Sequence, residues 1–134
     1  MLTLSTPQRR FAIITLLLSA VFFYFLQQSV EQENWKQILV LAIAYALFMF
    51  TNGLWNGYYD NQRSQRIEIG FRYHLLTYLI VNSVALLFAI IPSTTAITIS
   101  HALIQILCWG FGLMVHYLVQ RKTIKGYSHN ELFP

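Results

Sequence analysis

The chain has 134 residues, of which 56% are hydrophobic and 10% charged, against roughly 25% charged in a soluble domain; with a mean hydropathy of +0.49, water is excluded as its main solvent. The formal charge of +4 comes from nine Lys and Arg against five Asp and Glu, and no aromatic-interleaved basic stripe accompanies it, so nothing points to nucleic acid. A single cysteine, Cys108, excludes an intramolecular disulfide and thiol oxidase chemistry within one chain.

The charges cluster between long uncharged runs, and those runs predict the elements. Twenty residues without Asp, Glu, Lys or Arg separate Arg10 from Glu31, which predicts a span near 11–28. Arg9-Arg10 ahead of an apolar run imitates a signal peptide, but no Ala-x-Ala-like site follows, so a retained anchor is expected. Thr15, Ser19, Ala20 and Tyr24 interrupt its Leu, Ile and Phe, and with nothing ionisable it reads as scaffold. A further twenty-three uncharged residues between Lys36 and Asp60 predict a span near 37–58. It ends in Asn52-Gly53-Leu54-Trp55-Asn56-Gly57-Tyr58-Tyr59. Gly53 and Gly57 form a small-xxx-small pair suited to close helix approach, and Trp55, Tyr58 and Tyr59 suit an interfacial aromatic belt. Asn52 and Asn56 lie one turn apart, and an unpaired amide in lipid is costly, so both are expected to face the bundle.

The third run, Tyr73 to Gln120, is forty-eight residues long. A hydrocarbon core about 30 Å thick takes about 20 residues of helix, so this run holds two spans. They are read near 72–92 and 98–120, folded back at Pro92-Ser93-Thr94-Thr95. Residues 121–134 are read as a short polar cytoplasmic tail. Helices are required because lipid leaves backbone groups no other partners, and no ten-residue alternation of a barrel is present. The predicted fold is therefore all-α: a single integral membrane domain over 1–134, a four-helix bundle of two antiparallel hairpins. Arg9, Arg10, Arg63, Arg66, Arg72, Arg121, Lys122 and Lys125 fall on one side of this arrangement and Lys36 alone on the other. The positive-inside rule then places both termini on the cytoplasmic side of the membrane.

The hairpin of spans three and four carries the most chemistry. His74, Tyr78 and Asn82 repeat every four residues along one helical face. His101, Gln105, Trp109, Gly112 and His116 fall along one stripe of the next span, and such polar stripes are expected to point toward protein. His74 and His116 each lie twenty-one residues from a turn centred near 95, which predicts two imidazoles at equal depth near the cytoplasmic boundary. Gly112, one turn from His116, is expected to let the helices close there. The pair leaves several roles open: hydrogen bonding that fixes helix register, a titrating or ligand-binding site, or a metal or haem centre. Two imidazoles alone are too few for a structural metal site, although the tail His129 or a second subunit could add donors. Haem would require the rings to face partners across the bundle or a dimer, since neighbouring helix axes lie only about 8–10 Å apart.

Gly70-Phe71-x-x-His74-Leu75-x-x-Tyr78-Leu79-x-x-Asn82, followed after the turn by Trp109-Gly110-x-Gly112-Leu113-x-x-His116, resembles the bacterial two-transmembrane (2TM) domain family over roughly residues 66–122. The resemblance implies a helical hairpin and a sensory or accessory role, some relatives being attached to histidine kinases. It carries His74, Tyr78, Asn82, Trp109, Gly110, Gly112 and His116 over as signature residues. Two additional spans precede the hairpin here and no output domain follows, so any output is expected to pass through a partner.

The functional expectation is a non-enzymatic membrane module that senses or docks. No phosphate loop, Asp-rich metal motif or paired nucleophile and base is recognisable. A haem- or metal-binding protein using His74 and His116 is the alternative, and a small dimeric transporter the third, the latter weakened because no Asp or Glu falls inside the spans as read. Expected partners are the bilayer and either a second copy or another membrane protein.

Overall fold

The computed structural model describes residues 4–64, 69–91 and 98–125. Four helices account for nearly all of them: α1 (Thr6–Glu31), α2 (Trp35–Ser64), α3 (Ile69–Ile90) and α4 (Ile99–Lys125). Each contains a stretch long and apolar enough to cross a membrane, the shortest being 21 residues, about 31 Å of helix. The fold-back expected at Pro92 to Thr95, Arg66 and the tail with His129 lie outside the described residues.

Local signals explain where the helices begin and why they outrun their uncharged centres. Ser5 caps α1: its Oγ accepts from Gln8 N–H at 3.3 Å while the Gln8 Oε1 accepts from Ser5 N–H at 3.2 Å, with a proline in the first turn. At its other end Glu33 adopts φ 52°. Glu33 N–H reaches the Val30 carbonyl at 3.0 Å and Asn34 N–H the Ser29 carbonyl at 2.9 Å, the double bond of a Schellman turn. Asn34 then caps α2, its Oδ1 accepting from Gln37 N–H at 3.2 Å. Thr98 caps α4 in the same way: its Oγ1 accepts from His101 N–H, and its own N–H donates to His101 Nδ1, both at 3.4 Å.

The helices run up, down, up and down, with α1 at the centre. It packs along both α2 and α3, α2 touches α3 over a smaller area, and among the described residues α4 packs on α3 alone. The α1–α3 seam is apolar away from the chain start: Phe23, Val81, Val84 and Ala85 are buried together, backed by Phe22, Leu26 and Phe88. Nearer the start, Phe11 meets Tyr73 edge-on at 4.8 Å. The outer surface carries Ile13, Leu17, Leu39, Val40, Leu47, Phe48, Phe50, Leu107 and Phe111, the least exposed of them Ile13 at 60%. A water-soluble monomer does not sustain so large an apolar surface, and the chain is a membrane protein.

The helix directions bring the starts of α1 and α3 and the ends of α2 and α4 to one end of the molecule. Arg9, Arg10 and Arg72 lie there, and Lys36 lies at the other. Trp55, Tyr58 and Tyr59 ring the first end, exposed as an interfacial belt requires.

Candidate functional site

Two polar seams meet at that end, one on each side of α3. On α2, Asn52, Asn56 and Asp60 recur every four residues and so share a face, which turns toward α1. All three are buried, Asp60 to 2% exposure. Asn52 Nδ2 donates to Thr15 Oγ1 at 3.2 Å and to the Phe11 carbonyl at 3.4 Å, as expected of an amide that must find a partner on another span. Asn56 Nδ2 turns back along its own helix to the Asn52 Oδ1 at 2.8 Å and the Asn52 carbonyl at 3.0 Å. Asp60 closes the seam: Ser5 Oγ donates to its Oδ1 at 2.8 Å, Gln8 Nε2 to its Oδ2 at 3.0 Å, and the Tyr73 hydroxyl approaches Oδ2 at 3.5 Å. The same hydroxyl donates to the Asn56 carbonyl at 3.1 Å. Three helices are thus fastened at one carboxyl group, and the capping residue of α1 is part of the fastening.

Asn52 and Asn56 face the bundle as their spacing predicts, whereas Asp60, which the charge pattern puts just beyond span two, lies inside it: α2 continues to Ser64, and Asp60 falls within the span-forming stretch Trp35–Gln62. The legible signal is the four-residue spacing of Asn52, Asn56 and Asp60. Span one, read as scaffold, instead supplies Ser5, Gln8 and Thr15 to this seam. One turn farther on, Ser19 is fully buried and bonded to the Tyr45 hydroxyl at 2.9 Å.

The second seam joins α3 and α4. His74 and His116 meet at equal depth, their ring centroids 4.9 Å apart and their planes at 67°. Phe71 stacks over His116 at 6.3 Å and packs on Tyr117 at 5.3 Å. One turn along, the Tyr78 hydroxyl donates to the Ile106 carbonyl at 3.2 Å and its ring lies edge-on to Trp109 at 6.3 Å. One turn farther, Gln105 Nε2 donates to Asn82 Oδ1 at 3.2 Å, while Asn82 Nδ2 donates to the Tyr78 carbonyl at 2.7 Å.

Three expectations about this hairpin are corrected. His74 and His116 touch each other but are exposed on the outside of the seam, not enclosed within the protein. His101 belongs to the cap of α4 at the opposite end, so the stripe from His101 to His116 is no single inward face: Gln105 is half-buried, and His101, Trp109, Gly112 and His116 are exposed. The close approach is at Gly110 and not Gly112: a Cβ on Gly110 would stand 3.0 Å from the Tyr78 hydroxyl, whereas one on Gly112 would meet nothing within 4 Å among the described residues. The Gly53 and Gly57 pair behaves similarly, with Phe11 4.0 Å from a Cβ on Gly53 and, among the described residues, nothing within 4 Å at Gly57.

The imidazole pair offers two nitrogen donors, and no group of three or more His, Cys, Asp or Glu suited to a metal ion occurs among the described residues. Rings in contact leave no space for a porphyrin between them. The α3 helix belongs to both seams through adjacent residues, Tyr73 toward Asp60 and His74 toward α4.

No curated protein and no solved structure matches the chain. A family model described as the 2TM domain matches residues 58–131, more than half of the sequence and wider than the stretch from 66 to 122 on which the resemblance rested. It takes in the end of α2 with Asp60, both helices of the histidine seam, and the segment beyond α4. The chain belongs to the 2TM domain family.

Proposed function

We propose that this protein is a non-enzymatic docking or sensory accessory module of a bacterial cytoplasmic membrane, with both termini inside and α4 as the helix that meets a partner. The observation that supports this best is the position of α4. Among the described residues it rests on one neighbour, and Leu103, Ile104, Leu107, Phe111, Met114, Val115 and Leu118 remain exposed around the rest of its surface. The seam that holds it ends in two accessible histidines, so a contact made there changes the surroundings of α3 directly. The Asp60 clasp is engaged by α1 and α3 and reads as structural, which favours docking over a transport cycle that would have to break it. The partner is a second copy or another membrane protein.

Cys108 provides the test, being the only cysteine and exposed on α4. Treating native membranes with a short bismaleimide is expected to give one discrete adduct through Cys108. Purification is expected to retain the same partner, and His74→Ala or His116→Ala to reduce both signals. A chain that stays uncrosslinked and purifies alone at native expression would contradict the reading.

The 4.9 Å ring separation favours one second reading. Two imidazoles on a single zinc or copper ion, with metal–nitrogen bonds of about 2.0–2.1 Å, place their centroids roughly 5 Å apart. Equilibrium dialysis against Zn²⁺ would then show about one ion per chain, or one per two chains where a second pair of histidines completes the set. Binding that is absent, or unchanged in the double His74→Ala/His116→Ala variant, removes this reading.

A further inference from the structure

Away from both histidines, the α1–α2 face carries two cavities that share a wall. One, of about 260 Å³, lies at the arginine-rich end and is lined by Thr6, Arg10 and Tyr59 together with Trp55 and Asn56. The other, of about 400 Å³, is also lined by Trp55 and Asn56 and lies nearer the middle of the helices, between Ile14, Leu18 and Phe48. The groove thus has a cationic, hydrogen-bonding head and an apolar body. Its reach decides what fits. Thr6 and Leu18 are twelve residues apart along α1, about 18 Å of helix, and one leaflet of hydrocarbon is about 15 Å deep. A ligand filling the groove therefore spans a headgroup and, from Arg10 to Leu18, about 12 Å of chain, most of one leaflet's depth. Arg10 is exposed at the mouth, where a guanidinium at the headgroup boundary attracts an anionic phosphate.

We propose that this groove binds one anionic glycerophospholipid of the leaflet on that side, its phosphate against Arg10 and one acyl chain along Ile14, Leu18 and Phe48. Exposed Arg9, the adjacent cation, does not line the cavity, so it separates a defined site from general attraction of a basic end to anionic lipid.

The test reconstitutes the full chain in nanodiscs of equal phosphatidylglycerol and phosphatidylethanolamine, followed by mild extraction and native mass spectrometry of retained lipid. About one phosphatidylglycerol per chain is expected, retained in preference to phosphatidylethanolamine. Arg10→Gln lowers that retention about five-fold, the effect of one cation against an anionic headgroup, while Arg9→Gln leaves it unchanged. Leu18→Trp, which fills the apolar body, lowers retention of either lipid, and millimolar inorganic phosphate does not displace the bound molecule. Equal retention of the two lipids, equal effects of the two arginine variants, or displacement by phosphate alone would each overturn the proposal. Both arginines are exposed, and monodisperse elution of each variant confirms that the fold is retained. The outcome is independent of the Cys108 crosslink, which reads a different helix.

Discussion

Asp60 shows what a single residue can control in a protein surrounded by lipid. Asp60→Ala strands the buried Gln8 amide and takes a partner from the half-buried Ser5 hydroxyl and from Tyr73, and an orphaned buried group costs about 1–3 kcal/mol. A loss of at least ~2 kcal/mol is therefore expected in a detergent unfolding titration, with Asp60→Asn, which keeps one accepting oxygen, losing less. Equal stability of all three proteins would contradict the clasp. On the other seam, Tyr78→Phe removes the bond to the Ile106 carbonyl and is expected to cost about 0.6–1.7 kcal/mol. Gly110→Ala must displace the same hydroxyl, whose position is 3.0 Å from the new Cβ. The double variant is accordingly expected to cost less than the sum of the two singles, because both remove one bond; strict additivity would show that Gly110 and Tyr78 are not in contact. The depth of His74 and His116 was legible, since equal spacing from a turn fixes height in an antiparallel hairpin. Their exposure was not, because spacing along one helix does not say how far the neighbouring helix wraps around it.

At the scale of helices, the centre of each span was readable and the ends were not. An uncharged run marks where lipid must be, but caps and side-chain bonds decide where the helix stops. The Ser5 and Gln8 capping box starts α1 well before the run begins, and the burial of Asp60 carries α2 past its charged boundary. The turn after α1 holds a further consequence: Glu33 occupies the left-handed region at φ 52°, which a side chain disfavours by about 1–2 kcal/mol and glycine tolerates. Glu33→Gly is expected to stabilise the protein by up to about 1 kcal/mol, less than the full relief because glycine adds entropy to the unfolded chain. A destabilised variant in thermal denaturation would mean that the Glu33 side chain makes a compensating contact. The four helices differ in how firmly they are held. Because lipid tails are as apolar as leucine, packing and hydrogen bonds hold them together instead of a hydrophobic drive. By that measure α1, α2 and α3 form the firm unit, and α4 hangs on Tyr78, the Asn82–Gln105 bond and the ring contacts near His116.

The whole molecule is polarised. Both polar seams, the interfacial aromatics and Arg9, Arg10 and Arg72 gather at one end, and Lys36 marks the other. Composition alone was enough to place the chain in a membrane, and the order of charges was enough to pair the helix ends. What composition could not supply was the arrangement of three packed helices and one outlying helix, which depends on which faces interlock. In the proposed orientation the bilayer lies across all four helices, with the Asp60 and histidine seams on the cytoplasmic side. Single cysteines introduced at Arg9 and at Glu33, in a Cys108→Ser background, test this most directly in intact cells with a membrane-impermeant maleimide. Glu33→Cys is expected to label from outside, and Arg9→Cys only after the cells are opened. Labelling of Arg9→Cys from outside, or of both positions alike, would contradict it.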